Sequence, residues 1–305
     1  MRIVQLSDIH IWRYAYNPAK LFSKRAVGIL ELLKGRAKKF RLERLEDVVG
    51  RVLSLCPDHV LITGDLTTTA LTSEFLAARV ELSDVLNLPG GATVIPGNHD
   101  RYTSSSVRSH KFEQYFGEYG GGDGFPFVKH LDPRTVILAL DPTRSHISAR
   151  GLMPPGQLVR AHALLESAEV RDKRLIVACH YPLAAPPNYE RELEFKRLNN
   201  AGDVADLLRP VGPHLFCCGH VHAAWAFTPV ILPDQLCLNS GAPLLRDHTG
   251  YRLPGFLQID LDGPGVTVTH HAWTGTEWLE VPLLANPKLF NSRLRGADVA
   301  VNVDA

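Results

Sequence analysis

The sequence is poor in cysteine and in long apolar runs, and it carries almost no net charge. Only five cysteines occur among the 305 residues, and no two of them are spaced as CxxC. An odd, scattered set argues against a disulfide framework and favours a reducing compartment. No apolar run approaches the length of about 18 residues that a membrane-spanning helix needs, and no leader-like segment precedes the first strand run. We therefore expect a cytoplasmic protein. The net charge of +1 gives no reason to expect a stable nucleic acid complex.

Short apolar and β-branched runs alternate with helical patterns along most of the chain, which predicts an α/β protein. The strand runs cover 3–6, 59–63, 93–95, 136–140, 175–179, 215–218, 235–238 and 256–259. Helices are predicted over 73–86, 157–167 and 201–208. After about residue 230 strands predominate, with a late one at 266–270. We expect these late strands to complete a second sheet rather than to form a separate domain.

No low-complexity linker divides the chain, so we predict a single domain over residues 1–285, followed by a tail at 286–305. Two segments interrupt the regular pattern. One is a basic helical insertion at about 13–44, and the other, 184–200, follows a histidine at a strand end and could cap the cleft. The oligomeric state is left open.

Five of the first six strand runs are each followed by residues that can bind metal. They are Asp8 and His10 in SDIH, Asp65 in TGDL, Asn98, His99 and Asp100 in GNHD, His180 in ACHY, and His220 and His222 in GHVH. Sites in open α/β sheets form at the carboxyl ends of strands, so neighbouring strands would bring these side chains together. Mixed oxygen and nitrogen ligands suit Mn, Fe or Zn better than calcium. Seven ligands are too many for one open tetrahedral site and fit two ions that share a carboxylate.

In this order the motifs DxH, GDL, GNHD, H and GHVH resemble those of the calcineurin-like metallophosphoesterase superfamily, over about residues 1–225. The form GNHD in one large domain is similar to the class III cyclic nucleotide phosphodiesterase branch. The resemblance implies the metallophosphoesterase fold, a four-layer α/β/β/α sandwich with two mixed sheets. It also implies a dinuclear centre. Asp8, His10 and His222 would hold the first ion, Asn98, His180 and His220 the second, and Asp65 would bridge the two.

The same resemblance implies an enzyme that hydrolyses phosphate esters with a metal-bridging hydroxide, and phosphodiesters or nucleotides are the expected substrates. His99 would contact the phosphate or protonate the leaving oxygen, and Asp100 would orient His99. Asn98 and His99 would also touch the substrate. Arg101 and Tyr102 either face the substrate or cover the edge of the site.

The segment 20–44 is strongly basic, with nine Lys or Arg against two Glu and apolar residues at roughly helical spacing. Three interpretations stay open: a solvated helix, a wall that attracts phosphates, and a peripheral contact with an anionic membrane. The last supports an alternative function, hydrolysis of a phospholipid or lipid-linked pyrophosphate at a membrane surface. A further alternative, from another class, is a non-catalytic protein-binding scaffold with the same fold.

Overall fold

The computed structural model describes residues 1–13, 39–146, 148–247 and 251–294. The basic segment predicted over 20–44 is therefore described only from residue 39 onward, and the predicted tail only as far as residue 294. The rest of both segments lies outside the described residues.

Two six-stranded sheets form the centre of the molecule. The strands are β1 (Arg2–Leu6), β2 (His59–Ile62), β3 (Ala92–Val94), β4 (Phe127–Asp132), β5 (Thr135–Leu140), β6 (Arg174–Cys179), β7 (His214–Cys218), β8 (Ala224–Phe227), β9 (Gln235–Ser240), β10 (Gly255–Asp262), β11 (Gly265–Trp273) and β12 (Trp278–Asn286). The first sheet has the order β12-β11-β10-β1-β2-β3, and the second has the order β4-β5-β6-β7-β9-β8. Strands β1 to β3 run parallel, as do β5, β6, β7 and β9, while the remaining pairs are antiparallel. Both sheets are therefore mixed, as expected.

Helices cover the outer faces of the two sheets. The described helices are α1 (Leu45–Ser54), α2 (Thr72–Glu81), α3 (Ser83–Leu86), α4 (Ser104–Arg108), α5 (Lys111–Phe116), α6 (Pro155–Glu166), α7 (Glu190–Lys196), α8 (Ala201–Leu208) and α9 (Asn291–Leu294). Single 3-10 turns occur at Leu42–Arg44, Gly117–Tyr119 and Arg209–Val211. The predicted helix over 73–86 is in fact two helices, because the backbone breaks at Leu82 between α2 and α3.

The packing of β5 shows how the layers are arranged. Ile137 and Ala139 join the core cluster that contains the first sheet, whereas Val136 and Leu138 pack with Ala161 of α6 in a second cluster. One face of the second sheet therefore lies on the first sheet and the other lies under helices. The expected four-layer α/β/β/α sandwich is confirmed.

The assignment of the late strands needs a correction. Strand β9 joins the second sheet as expected, together with the unpredicted β8, but β10, β11 and β12 extend the first sheet through β1. Arg2 of β1 pairs with Asp260 of β10, and their side chains also form an ion pair of 2.8 Å. Periodicity marks these segments as strands but does not indicate the sheet in which a strand finds its partner.

Candidate metal centre

Two loops at the carboxyl ends of β1 and β2 form the floor of the site. The amide of Asp8 donates to the carbonyl of Gly64 at 3.0 Å, and that of His10 donates to the carbonyl of Asp65 at 2.9 Å. These bonds continue the parallel pairing of the two strands beyond the point where each strand ends. Asp8, His10 and Asp65 are thereby fixed side by side, each at most 1% exposed.

Five of the seven predicted ligands adopt left-handed backbone conformations. The φ angles are 53° for Asp8, 53° for His10, 56° for Asp65, 72° for His220 and 60° for His222. Such conformations cost roughly 1–3 kcal/mol each outside glycine and persist where the surroundings enforce them. Asp8 and His10 therefore converge through strained loop backbone beyond the end of β1.

Glycines beside the ligands allow the loops to approach one another. A Cβ on Gly97 would lie 2.1 Å from Oδ1 of Asp65, and a Cβ on Gly219 would lie 2.5 Å from Oδ2 of Asp8. Gly64 has a φ of +99°, and its backbone lies too close to that of Gly97 for a side chain to fit. A side chain at Gly97 or Gly219 would therefore displace the carboxylate of Asp65 or Asp8.

The first group of candidate ligands comprises Asp8, His10, Asp65 and His222, whose ligand atoms all lie within 4.8 Å of one another. Nε2 of His222 lies 3.2 Å from Oδ1 of Asp8 and 3.1 Å from Nε2 of His10. Nε2 of His10 lies 3.7 Å from Oδ2 of Asp65. Two imidazole nitrogens and two carboxylate oxygens thus converge on one small volume.

The second group comprises Asp65, His180 and His220, and it shares Asp65 with the first. Nε2 of His180 lies 3.4 Å from Oδ2 of Asp65 and 3.2 Å from Nδ1 of His220. The amide oxygen Oδ1 of Asn98 lies 3.2 Å from the same His180 nitrogen. The structure therefore brings together all seven residues predicted as ligands.

Backbone carbonyls orient the two histidines of the second group. Nδ1 of His180 is 2.7 Å from the carbonyl of Thr63, and Nε2 of His220 is 3.0 Å from the carbonyl of Lys196. If each of these nitrogens donates, Nε2 of His180 and Nδ1 of His220 carry the lone pairs that face Asp65. The sequence gives no signal for these partners, because any residue can supply a carbonyl. Lys196 lies in the predicted cap segment, which therefore reaches the site.

Charge is strongly coupled within the cluster. Burial opposes the ionisation of Asp65, but His180, His99 and His10 outweigh it and hold the pKa of that carboxyl well below its usual range. Burial also opposes protonation of His180, yet Asp65 and Asp8 raise the pKa of this imidazole to about 9. Burial and the neighbouring His180 depress the pKa of His220. A positive charge beside Asp65 is therefore favoured, and a bound cation would replace the proton on His180.

The donor set fits a pair of divalent ions. Oδ1 of Asp8 is buried and accepts no hydrogen bond from any described residue. The lone-pair nitrogens of His180 and His220 face the Asp65 carboxylate as well. Buried acceptors are normally satisfied, so a cluster of lone pairs around a shared carboxylate points to cations as the missing partner.

His99 lies at the edge of this cluster, and a backbone carbonyl fixes its ring. Its Nδ1 is 2.7 Å from the carbonyl of Thr68, and its amide donates to Oδ1 of Asp65 at 2.7 Å. The carboxylate of Asp100 accepts from the amides of Gly97 and Thr67, both at 2.9 Å. Asp100 therefore ties the loops after β2 and β3 together through these backbone amides.

Burial and the Asp65 charge raise the pKa of Asp100 to about 7, despite the hydrogen bonds that favour its ionised form. An ionised Asp100 thus depends on those amide donors and on any cation that neutralises Asp65.

Arg101 and Tyr102 both have protein partners beside the site. The guanidinium of Arg101 is buried and bonds Glu113 at 2.5 and 3.0 Å and Asp141 at 2.9 Å. Tyr102 is 6% exposed and stacks on His99 with ring centroids 5.5 Å apart. Of the two interpretations open for this pair, covering the edge of the site is the one that agrees with the geometry.

Comparison with known protein families agrees with a metal centre built from these residues. The sequence model of the calcineurin-like phosphoesterase family matches residues 1–224, which include every candidate ligand. The chain belongs to this family. The family is one of phosphoric ester hydrolases, so the expectation drawn from the motifs is confirmed at that level. No curated protein matches the chain significantly.

Solved structures with a similar fold include a purple acid phosphatase from seeds of yellow lupin (Lupinus luteus), with a TM-score of 0.61 and 14% identity. That match covers 92% of this phosphoesterase and 52% of the lupin enzyme, so the chain spans about half the length of that relative. A predicted phosphoesterase from Streptococcus pneumoniae is 15% identical, with 92% and 97% of the two chains covered and a TM-score of 0.37. Vps29 in complex with zinc from Entamoeba histolytica is 12% identical, with 93% and 100% covered and a TM-score of 0.41. These likenesses concern the fold alone.

Within the described ranges, no helix has the length and apolar character that crossing a bilayer would require.

Proposed function

We propose that this phosphoesterase hydrolyses phosphodiesters or nucleotides at a centre of two metal ions that share Asp65. One observation carries the proposal: two groups of candidate ligand residues, buried except for the partly exposed His222, have Asp65 in common, and the ligand atoms of each group lie within 4.8 Å of one another. Family membership supplies the reaction class, and the paired groups supply the reason for two ions.

In this proposal Asp8, His10, Asp65 and His222 hold one ion, and Asp65, Asn98, His180 and His220 hold the other. Two bound dications supply a water of lowered pKa and neutralise the charge of the phosphate. Oxygen and imidazole donors without thiolate favour Mn, Fe or Zn. The buried walls of the cluster exclude bulk water and so strengthen its electrostatic interactions.

His99 is the residue that we propose to move a proton. Nδ1 lies 2.7 Å from the Thr68 carbonyl, so an Nδ1 that donates there places the lone pair of the neutral imidazole on Nε2. Stacking on Tyr102 and an edge contact with the His10 ring at 4.8 Å between centroids keep the imidazole in place. A protonated His99 can donate to the leaving oxygen.

Two alternatives remain to be compared with this proposal. The membrane alternative depends on the basic segment 20–44, most of which lies outside the described residues. Arg44, which is described, is 7% exposed and packs on Trp273 instead of projecting outward. The complete ligand set argues against the scaffold alternative, because a protein-binding surface does not need seven converging metal donors. A compartment is not assigned, and the cytoplasm stays a prediction.

The test is an assay of protein loaded with Mn, using bis(4-nitrophenyl) phosphate as a diester and 4-nitrophenyl phosphate as the monoester. We expect turnover of the diester, and a loss of at least about a hundredfold in Asp65→Asn, since displacing a reacting group by 1 Å already costs that much. Asp84→Asn, the same change at an exposed position on α3, is the matched control and should keep full activity. Failure of the metal-loaded wild-type protein to cleave either ester would remove the enzyme proposal.

The membrane alternative has its own test. Co-sedimentation with vesicles containing anionic lipid would show binding by the full chain, and a variant lacking residues 20–38 would lose it. Absence of binding by the full chain would eliminate this alternative.

A further inference from the structure

A second cluster of basic side chains lies beside the metal centre, around a pocket of about 310 Å³. Its walls include Arg41, Arg44, Arg246, Arg252 and Asp247, together with the indole of Trp273. Four of the residues that line it are arginines, and one is an aspartate. A concave surface with this excess of positive charge concentrates anions.

Arg44 is the unusual member of the cluster. It is 7% exposed, and its Nε and Nη2 atoms are buried without a hydrogen-bond partner among the described residues. Its Nη1 makes one long bond of 3.4 Å to the carbonyl of Pro243, and its guanidinium lies 4.4 Å from the ring centre of Trp273. The described residues give Arg44 no carboxylate within ion-pair distance. Burying a cation without a counter-ion is costly, so a retained one calls for an anionic partner.

The other three arginines of the pocket differ in the strength of the contacts that they already make with the protein. Arg252 is engaged, because it pairs with Glu192 and donates to the carbonyl of Val221 at 2.9 Å. Arg41 lies 4.0 Å from Glu43 at an exposed position, where such a pair contributes little. Arg246 is exposed, and its side chain forms no ion pair with the described part of the chain. Arg41 and Arg246 can therefore turn toward a ligand without breaking a strong contact.

The pocket is joined to the metal centre by two short connections. The ring of Phe40, next to Arg41, lies 4.5 Å from the His10 ring and 5.7 Å from the His222 ring. Phe40 also forms a β-bridge with Leu245, which lines the pocket. The second connection is the bond from Arg252 to Val221, the residue between His220 and His222 in sequence. A molecule bound in the pocket would therefore be separated from the candidate metal ligands by one layer of residues, which includes Phe40 and Val221.

We propose that this pocket holds a second phosphate group of the substrate while the ester is cleaved at the metal centre. The inference rests on the proposed function and narrows its substrate class to phosphate esters that carry at least one further phosphate, such as nucleotides phosphorylated at two positions. Arginine suits this task because its planar, permanently charged fork matches the oxygens of phosphate. Trp273 supplies a rigid apolar wall that supports Arg44.

The first arm of the test measures the pocket without catalysis. Inorganic pyrophosphate is titrated by calorimetry into chelator-treated protein, so that no metal-bound phosphate contributes. We expect saturable binding that weakens roughly tenfold or more in Arg246→Gln and in Arg44→Met, as for the loss of one charged hydrogen bond. Arg171→Gln is the matched control, because Arg171 is 65% exposed and precedes the amino end of β6, whereas the metal centre lies at the carboxyl ends of the parallel strands. It should bind as the wild type does. Arg246 is exposed, so its variant stays informative even if Arg44→Met fails to fold.

The second arm asks whether the pocket serves the substrate. Metal-loaded protein is assayed with thymidine 5′-(4-nitrophenyl phosphate) and with the same compound bearing a 3′-phosphate. We expect the wild type to favour the phosphorylated compound in kcat/KM by roughly tenfold or more, and this ratio to fall toward one in Arg246→Gln. Arg171→Gln should keep the wild-type ratio.

Equal pyrophosphate affinity in the wild type and both arginine variants would overturn the proposal, and so would a kcat/KM ratio of one in the wild type. These results differ from failure of the proposed function, in which neither nitrophenyl compound is cleaved. In that case the calorimetric arm still decides whether the pocket binds phosphate.

Discussion

Gly97→Ala isolates the contribution of close loop packing to the metal centre. The added Cβ would lie 2.1 Å from Oδ1 and 2.3 Å from the backbone nitrogen of Asp65. Ordinary contact requires about 3.5 Å, so the shared carboxylate must move by about 1 Å or more. Overpacking of this kind costs about 1–3 kcal/mol of folding free energy, and a 1 Å shift of a reacting group costs about a hundredfold in rate.

Three measurements on the same preparation check this prediction: the unfolding midpoint in urea, the metal content by elemental analysis, and kcat/KM for a nitrophenyl diester. We expect lower stability, reduced content of both ions because Asp65 serves both groups, and a large loss of activity. Gly50→Ala is the matched control. Gly50 lies in α1, and no heavy atom lies within 4 Å of the position that an added methyl group would take, so alanine there should stabilise the helix by about 0.5–1 kcal/mol. Full metal content with wild-type kcat/KM in Gly97→Ala would refute the reasoning.

Two further predictions concern buried ionisable side chains outside the metal centre. Burial lowers the pKa of His59 to about 4 against the hydrogen bond to Gly90, so the folded state stays neutral while the unfolded state takes up a proton near pH 6.5. The contribution of His59 to the free energy of unfolding is therefore fully present above pH 6.5. It falls by roughly 3 kcal/mol as the pH drops toward 4. Urea unfolding across this range should show a smaller loss in His59→Gln, and identical pH profiles would contradict the assignment. In the second prediction, Arg101→Met leaves the buried Asp141 and the partly buried Glu113 without their shared partner and should cost about 3–5 kcal/mol. Arg209→Met, which breaks an exposed pair, should cost about 1 kcal/mol or less, and equal urea midpoints for the two variants would argue against a buried ion pair.

Much of the fold could be predicted because its parallel strands are buried on both faces. The runs around Val136 and Leu175 are continuous and apolar, and they match β5 and β6 closely. Strands β4 and β12 were missed because they are partly exposed edge strands with mixed polarity. The short strand β8 lies directly after the GHVH motif and gives too brief a pattern to recognise.

The candidate ligands could be predicted from sequence because each follows a strand and is a residue type with metal-binding chemistry. Their outer partners could not. The carbonyls of Thr63, Thr68 and Lys196 fix three imidazoles, and a carbonyl leaves no trace in residue identity. The hydrogen bonds of Asp100 could not be predicted for a related reason. Its carboxylate accepts from the backbone amides of Gly97 and Thr67, and the pairing with His99 that the resemblance implies stays a prediction.

The basic segment shows where sequence reasoning and structure complement each other. Its charge suggested three roles, one of them a wall that attracts phosphates. Among its described basic residues, Arg41 and Arg44 line the pocket beside the centre. Their placement depends on the β-bridge between Phe40 and Leu245, a contact between residues far apart in the chain that no local pattern predicts.

The most direct test of the central claim is the number of metal ions bound per chain, measured by elemental analysis after equilibration with Mn and removal of free ion. The account predicts two ions per chain in the wild type. In Asp65→Asn both ions should be weakened, because both groups share that carboxylate. A fully active wild-type protein with one ion per chain, or Asp65→Asn with two ions and wild-type affinity, would contradict it.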